Sequence, residues 1–292
     1  MLAPKSGDFG YKNRKLIVLH CCQGKLSLRV VILESVDAVT LFAANEVSSL
    51  LKHRTTNGLG AVLGLATGGT PLGLYRELIA RNSTGEISFA NVETFNLDEY
   101  VGVPPESHSS YRYYMNENLF NHVDIDLAMT HVPITCGVDL EASAADFENL
   151  IELAGGIDLQ ILGIGVDAHI GFNEIGSSLG SRTRVKTLTQ RTRQDNARYF
   201  GSVDAVPQTA LTMGIQTILE GQSILLLATG AGKAKAIRDC VEGPITASVP
   251  ASALQLHPNV TLAIDRDAAS ELANADYFLA AERNRAVASR SS

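Results

Sequence analysis

A doubly wound α/β fold, with a single mostly parallel sheet and helices on both faces, is what this sequence predicts. Three observations lead there. Short β-branched runs recur along the chain, helical spacings of apolar residues lie between most of them, and residues able to hold anions or move protons follow directly after the apolar runs.

The first run, Arg29–Leu33, reads as a strand. Apolar residues at Val39, Leu41, Phe42, Val47, Leu50 and Leu51 then recur at helical spacing, so 37–51 reads as the first crossover helix, capped by Ser35 or Asp37. Strands follow at Ala61–Leu65, 92–95, Leu159–Leu162, 223–228 and 260–264. Helices are expected at 71–81, 111–120, Leu140–Leu153, 207–220, 233–241 and 267–273. Two connections, 96–110 and 163–204, are longer than an ordinary βα link, and loops of that length are more often functional than merely connecting. No repeat, low-complexity tract or linker divides the chain, which predicts one domain over 29–292 preceded by a disordered extension over 1–28.

Composition narrows the function. Of 292 residues 45% are hydrophobic and 19% charged, the balance of a globular protein rather than a disordered one. A net charge of −7 lacks the basic footprint of a nucleic-acid binder, so any phosphate recognised here must be met by a few local groups. The four cysteines, Cys21, Cys22, Cys136 and Cys240, have no repeated spacing and suit a reducing cytoplasm. Leu16 to Cys22 imitates a targeting signal but is short and lacks a small-residue cleavage site; no apolar run approaches a membrane span, so no membrane partner is expected.

Four places carry chemistry. Gly64 to Pro71 follows a strand and opens a helix: Gly68 and Gly69 let backbone N–H groups approach an anion, and Thr67 and Thr70 add hydroxyl donors. The alternative is an ordinary glycine turn, and the missing lysine argues against a nucleoside triphosphate. In Thr94 to Tyr100 two acids follow a strand, where Asp98 or Glu99 either takes a proton from carbon or caps the next turn. Leu162 to Glu174 gathers Asp167, His169 and Glu174 on a glycine-interrupted loop, a set able to tune an imidazole for acid–base work or to hold a metal. Its Gly163, Gly165 and Ala168 match a dinucleotide fingerprint, but the residues that follow start a helix poorly and no acid ends a second strand at the required distance. Arg198 and Lys233, the latter at the start of an expected helix, are cations able to face an anion or to remain solvated.

Taken together, Thr-Gly-Gly-Thr-Pro at 67–71, Phe-Asn-Leu-Asp-Glu-Tyr at 95–100 and Gly-Val-Asp-Ala-His-Ile-Gly-Phe-Asn-Glu at 165–174 resemble the signatures of the glucosamine-6-phosphate deaminase family. The runs 181–188 and 254–257 resemble it too, so the likeness extends from about Arg29 to near the C-terminus. Such a resemblance implies isomerisation and deamination of D-glucosamine 6-phosphate to D-fructose 6-phosphate and ammonia in N-acetylglucosamine catabolism, a hydrolase acting on an amino-sugar phosphate without cofactor or metal. It implies that Asp98 transfers the carbon proton, that His169 opens the sugar ring with support from Asp167 and Glu174, and that Thr67, Gly68, Gly69, Thr70, Arg198 and Lys233 hold the phosphate. Some members are allosteric hexamers, so a homo-oligomer and an activator site at Arg184, Lys186 and Tyr277 belong to the same expectation. Two departures stand out: Val166 and Ala168 occupy places where relatives often carry Asn and Gly.

Overall fold

A computed structural model describes residues 28–290; the expected extension, with Cys21 and Cys22, lies outside the described residues apart from Leu28. Seven strands form a wholly parallel sheet: β1 (Arg29–Leu33), β2 (Ala61–Leu65), β3 (Val92–Asn96), β5 (Thr130–His131), β6 (Leu159–Leu162), β9 (Ile224–Ala228) and β10 (Val260–Asp265). Their order is β1-β10-β9-β6-β2-β3-β5. From β2 the chain winds outward through β3 to β5, then restarts at β6 on the other side of β2 and winds the opposite way. The β2/β6 pair is therefore the topological switch point, where the carboxyl ends of an open sheet leave a crevice.

Helices cover both faces, as predicted. One apolar layer contains α1 (Val36–Thr56), α2 (Leu72–Ser83) and α3 (Tyr111–Asn118), with Val47, Leu51, Leu74, Leu78 and Met115 buried against alternate residues of the strands. The other contains α4 (Leu140–Leu153), α6 (Ile215–Leu219) and α7 (Ala234–Val241) through Phe147, Ile151, Ile218 and Ile237, with α8 (Ala275–Arg290) packed beside β1. Fully buried Leu, Ile and Phe side chains of this kind stabilise by roughly 1.5–3 kcal/mol each. Caps set the starts: the Ser35 hydroxyl accepts from Ala38 N at 3.2 Å, and Asp139, Ser110 and Thr189 do the same for α4, α3 and α5 (Gln190–Asn196).

The structure adds what the apolar periodicity did not reveal. The long connections contribute β4 (Asp98–Tyr100) and β7 (Arg184–Thr187), which with β8 (Thr209–Thr212) form a second, antiparallel sheet in the order β4-β8-β7. β8 takes the first half of the expected helix at 207–220, leaving only α6 of it. Gly214 divides the two, because a Cβ there would collide with the Ser181 carbonyl. The helix expected at 267–273 is a run of turns after Asp265, whose carboxylate accepts from Gly230 N and Ala268 N; the chain becomes helical only at Ala275.

Candidate active site

The carboxyl ends of β1, β2, β3, β6 and β9 surround a cleft of about 660 Å³. Thr67, Gly68, Gly69 and Thr70 line it from the loop after β2, Asp98 from the corner after β3, His169 from the loop after β6, and Arg198 and Lys233 from the turns after α5 and before α7, near enough for the Arg198 charge to act on Lys233. Eight of the ten residues expected to act on the substrate thus share one cavity. Asp167 and Glu174 do not line it but meet His169 at Nδ1. Arg184, Lys186 and Tyr277 do not line it either: the first two lie on β7, where Arg184 Nη1 donates to Asn173 Oδ1 at 2.7 Å, and Tyr277 is exposed on α8.

The loop after β2 is open where an anion would approach. Gly68 has φ +92°, which disfavours any other residue, and a Cβ at either Gly68 or Gly69 would meet nothing within 4 Å. Pro71 caps α2, which starts one residue later than predicted, and the helix N-terminus faces the cleft beside Thr70. Lys233 Nζ donates to Ile164 O at 2.7 Å, and burial lowers its pKa. The Arg198 guanidinium lies over the Tyr199 ring, 4.8 Å from its centroid.

Asp98 sits where the chain leaves the parallel sheet. Leu97 N donates to Leu65 O at 3.1 Å, Met213 N donates to Leu97 O at 2.7 Å, and the next residue begins β4. Only 5% of Asp98 is exposed, and Thr212 Oγ1, across the β4/β8 pair, lies 3.4 Å from Oδ2. Burial, with the neighbouring Glu99 carboxylate, pushes its pKa up to about 7 against the pull of His169. Glu99 is the cap of the pair: it accepts from Tyr111 N at 2.8 Å, Arg112 N at 3.0 Å and Tyr100 N at 2.9 Å. Residue types alone left the two acids open, and only the family resemblance singled out Asp98; β4 separates them, since alternate residues of a strand point to opposite faces.

His169 Nδ1 lies 2.6 Å from Asp167 Oδ1 and 3.8 Å from Glu174 Oε2. The Asp167 contact has the distance of an ion pair, while no partner of Nδ1 meets hydrogen-bond geometry. Burial works against the imidazolium, but the close Asp167 carboxylate outweighs it and raises the pKa of His169, while holding Asp167 down at about 2. Glu174, 1% exposed, also accepts from Thr189 N at 3.0 Å, which ties the start of α5 to the histidine. Ligand atoms of Asp167, His169 and Glu174 lie within 4.8 Å of one another, close enough to converge on a metal ion. The backbone is unusual here: Ala168 has φ +63°, the left-handed region that relatives' glycine would occupy freely.

Several lining residues escaped sequence reasoning. Tyr111 opens α3, and Thr192, Asp195 and Asn196 come from α5; Thr212, outside the lining, reaches Asp98 through strand pairing. The α5 residues precede Arg198 by a turn or two and could have been found from it. Thr212 carries no local signal, because its partnership depends on the antiparallel pairing.

A parallel sheet with a phosphate-type loop, a buried carboxylate and an acid-flanked histidine at its switch point defines a sugar-phosphate enzyme class. A model of the glucosamine-6-phosphate isomerases/6-phosphogluconolactonase family matches residues 34–262, and the chain belongs to that family. Among its relatives, the glucosamine-6-phosphate deaminase of Hahella chejuensis is 51% identical over 251 residues, covering 86% of this chain and 94% of that protein. That of Colwellia psychrerythraea is 49% identical over 258 residues, covering 88% and 94%. A solved structure described as a monomeric glucosamine-6-phosphate deaminase superposes with a TM-score of 0.81 at 48% identity, over 84% of this chain and all of that one. The 6-phosphogluconolactonase of Thermotoga maritima shares the fold alone, with a TM-score of 0.66 at 20% identity over 82% of this chain and all of that one.

Proposed function

We infer that this chain converts D-glucosamine 6-phosphate and water to D-fructose 6-phosphate and ammonia. The observation that carries the inference is Asp98: a buried carboxylate with a pKa near 7 faces the same cleft as the anion loop and His169, in a chain about half identical to named deaminases. Thr67 to Thr70, the α2 N-terminus, Arg198 and Lys233 hold the phosphate. With Nδ1 occupied by Asp167, Nε2 of His169 serves the sugar: it takes the proton of the C1 hydroxyl and returns it to the ring oxygen, opening the pyranose. Asp98 then removes the C2 proton and delivers it to C1 while a proton passes from the amino group to O1, which turns the 2-amino aldehyde into the 2-imine of the ketose. Water adds at C2, and ammonia leaves with the C2–N bond. Electrons and protons balance without a hydride acceptor. Because an isomerisation precedes the water step, "hydrolase" names only the second half of the reaction.

Among the described residues no helix is long and apolar enough to cross a membrane. A cytoplasmic place of action goes with this reading and with the sparse, unpatterned cysteines. The purified protein should release ammonia from glucosamine 6-phosphate and leave 6-phosphogluconolactone intact. Lactone hydrolysis without ammonia release would replace the inference with its rival, which needs the histidine but no carbon-proton shuttle.

A further inference from the structure

The mechanism leaves Glu99, the buried acid next to Asp98, without a task. Glu99 is 3% exposed, and all three of its hydrogen-bond partners are backbone N–H groups: Tyr100 N on its own strand, and Tyr111 N and Arg112 N across the intervening loop at the start of α3. N–H donors suit a carboxylate that accepts, and the helix N-terminus favours its charge. α3 already has its own cap, Ser110, which accepts from Tyr113 N at 2.9 Å. Glu99 therefore adds a second tie, from the strand that carries Asp98 to the helix that carries Tyr111. The residues so joined face the cleft together, and the Tyr111 hydroxyl lies 3.2 Å from that of Tyr100.

We propose that Glu99 is a positioning residue for the proton transfer: its carboxylate clamps the start of α3 to β4, so that Tyr111 and Asp98 are held over the same reacting carbons. The proposal rests on the deaminase reading. Burial raises the pKa of both acids to about 7; where Glu99 is ionised, its charge adds to burial in making the Asp98 carboxylate a stronger base. The groups that face Asp98 are Glu99 and Tyr100 from β4, Tyr111 from α3 and His169 from the loop after β6; Arg112 faces Glu99.

Ammonia release by the wild-type protein tests the deaminase reading first; the proposal is then decided on Glu99→Gln, Glu99→Asp and Ser110→Ala. Glu99→Gln keeps the shape but removes the charge. Its kcat should fall about tenfold to hundredfold with KM changed less than about threefold, and the acidic limb of the rate profile should move to lower pH. Ser110→Ala weakens the same helix start through the other cap; it should lower Tm without moving the limb. Glu99→Asp, which keeps the charge one methylene too short, should lose rate with the limb in place, and it decides the matter if Glu99→Gln does not fold. An unmoved limb for Glu99→Gln, or wild-type kcat in Glu99→Asp, would overturn the proposal, as would the same profile in Ser110→Ala and Glu99→Gln.

Discussion

The backbone of Gly165 passes directly beneath the imidazole of His169: a Cβ on Gly165 would stand 2.5 Å from Nδ1 and 2.6 Å from Nε2. Gly165 N also donates to His169 O at 2.9 Å, so the two residues close a small loop and fix each other. This glycine is required by the ring above it and not by its own torsion angles, because its φ is not in the left-handed region.

Gly165→Ala should accordingly displace His169 while leaving the phosphate groups in place. A shift of about 1 Å at a catalytic group costs roughly 10²-fold in rate. Ammonia release measured beside the affinity of a competitive sugar phosphate checks this: kcat should fall and affinity hold. Unchanged kcat would mean that the ring is free to move without loss.

Ala168, 2% exposed at φ +63°, tests the neighbouring strain. Relief of about 1–2 kcal/mol in Ala168→Gly is offset by the loss of a buried methyl and by the freer unfolded chain, so its stability should lie within about 1 kcal/mol of wild type. A β-branched side chain has no such compensation. Ala168→Val should be destabilised by on the order of 2 kcal/mol or more, read as the denaturation midpoint in urea. Equal midpoints for wild type and Ala168→Val would show that the loop relaxes at no cost.

Asp98→Asn separates chemistry from stability. The ordinary aspartate pKa is near 3.9, whereas burial raises Asp98 to about 7, so between about pH 4 and 7 the folded state binds more protons than the unfolded one and stability falls as pH rises. Asparagine removes that penalty. The variant should be more stable than wild type at pH 8, by on the order of 2–4 kcal/mol, with the gap closing near pH 4. Turnover should fall about 10²- to 10⁴-fold, while wild-type activity rises with pH through about 7 as Asp98 ionises. A variant that turns over normally, or that gains no stability at pH 8, removes Asp98 from the proton shuttle or from its buried state respectively.

Lys233→Ala and Arg198→Ala should chiefly weaken binding, since both are cations of the cleft lining and neither carries a proton in the proposed steps. Charge-assisted contacts are worth roughly 1.5–3 kcal/mol, a tenfold to hundredfold rise in the inhibition constant of inorganic phosphate. Calorimetry with phosphate gives the same quantity without turnover. Unaltered constants in both variants would take these cations out of the anion site.

Removal of divalent ions should leave turnover unchanged, because every step proposed for His169 is a proton transfer. The convergence of Asp167, His169 and Glu174 makes this a sharp test. If EDTA abolished activity and one divalent ion restored it, His169 would be a ligand and the ring-opening step would need another acid.

The sequence alone determined six of the seven parallel strands almost residue by residue, since β1, β2 and β6 coincide with their apolar runs and burial on both faces leaves a continuous hydrophobic signal. It likewise determined which loops carry Thr67 to Thr70, Asp98 and His169, because ligands gather beyond the carboxyl ends of such strands. It missed β5, two residues long, and β4, β7 and β8, which are short, half exposed in β7, and in the β4/β8 pair joined across more than a hundred residues. Only that pairing sets Thr212 against Asp98 and turns Glu99 to the helix start, so that of the two adjacent acids Asp98 lines the cleft. Strand alternation is a local rule, but which face is the cleft is a property of the assembled sheet.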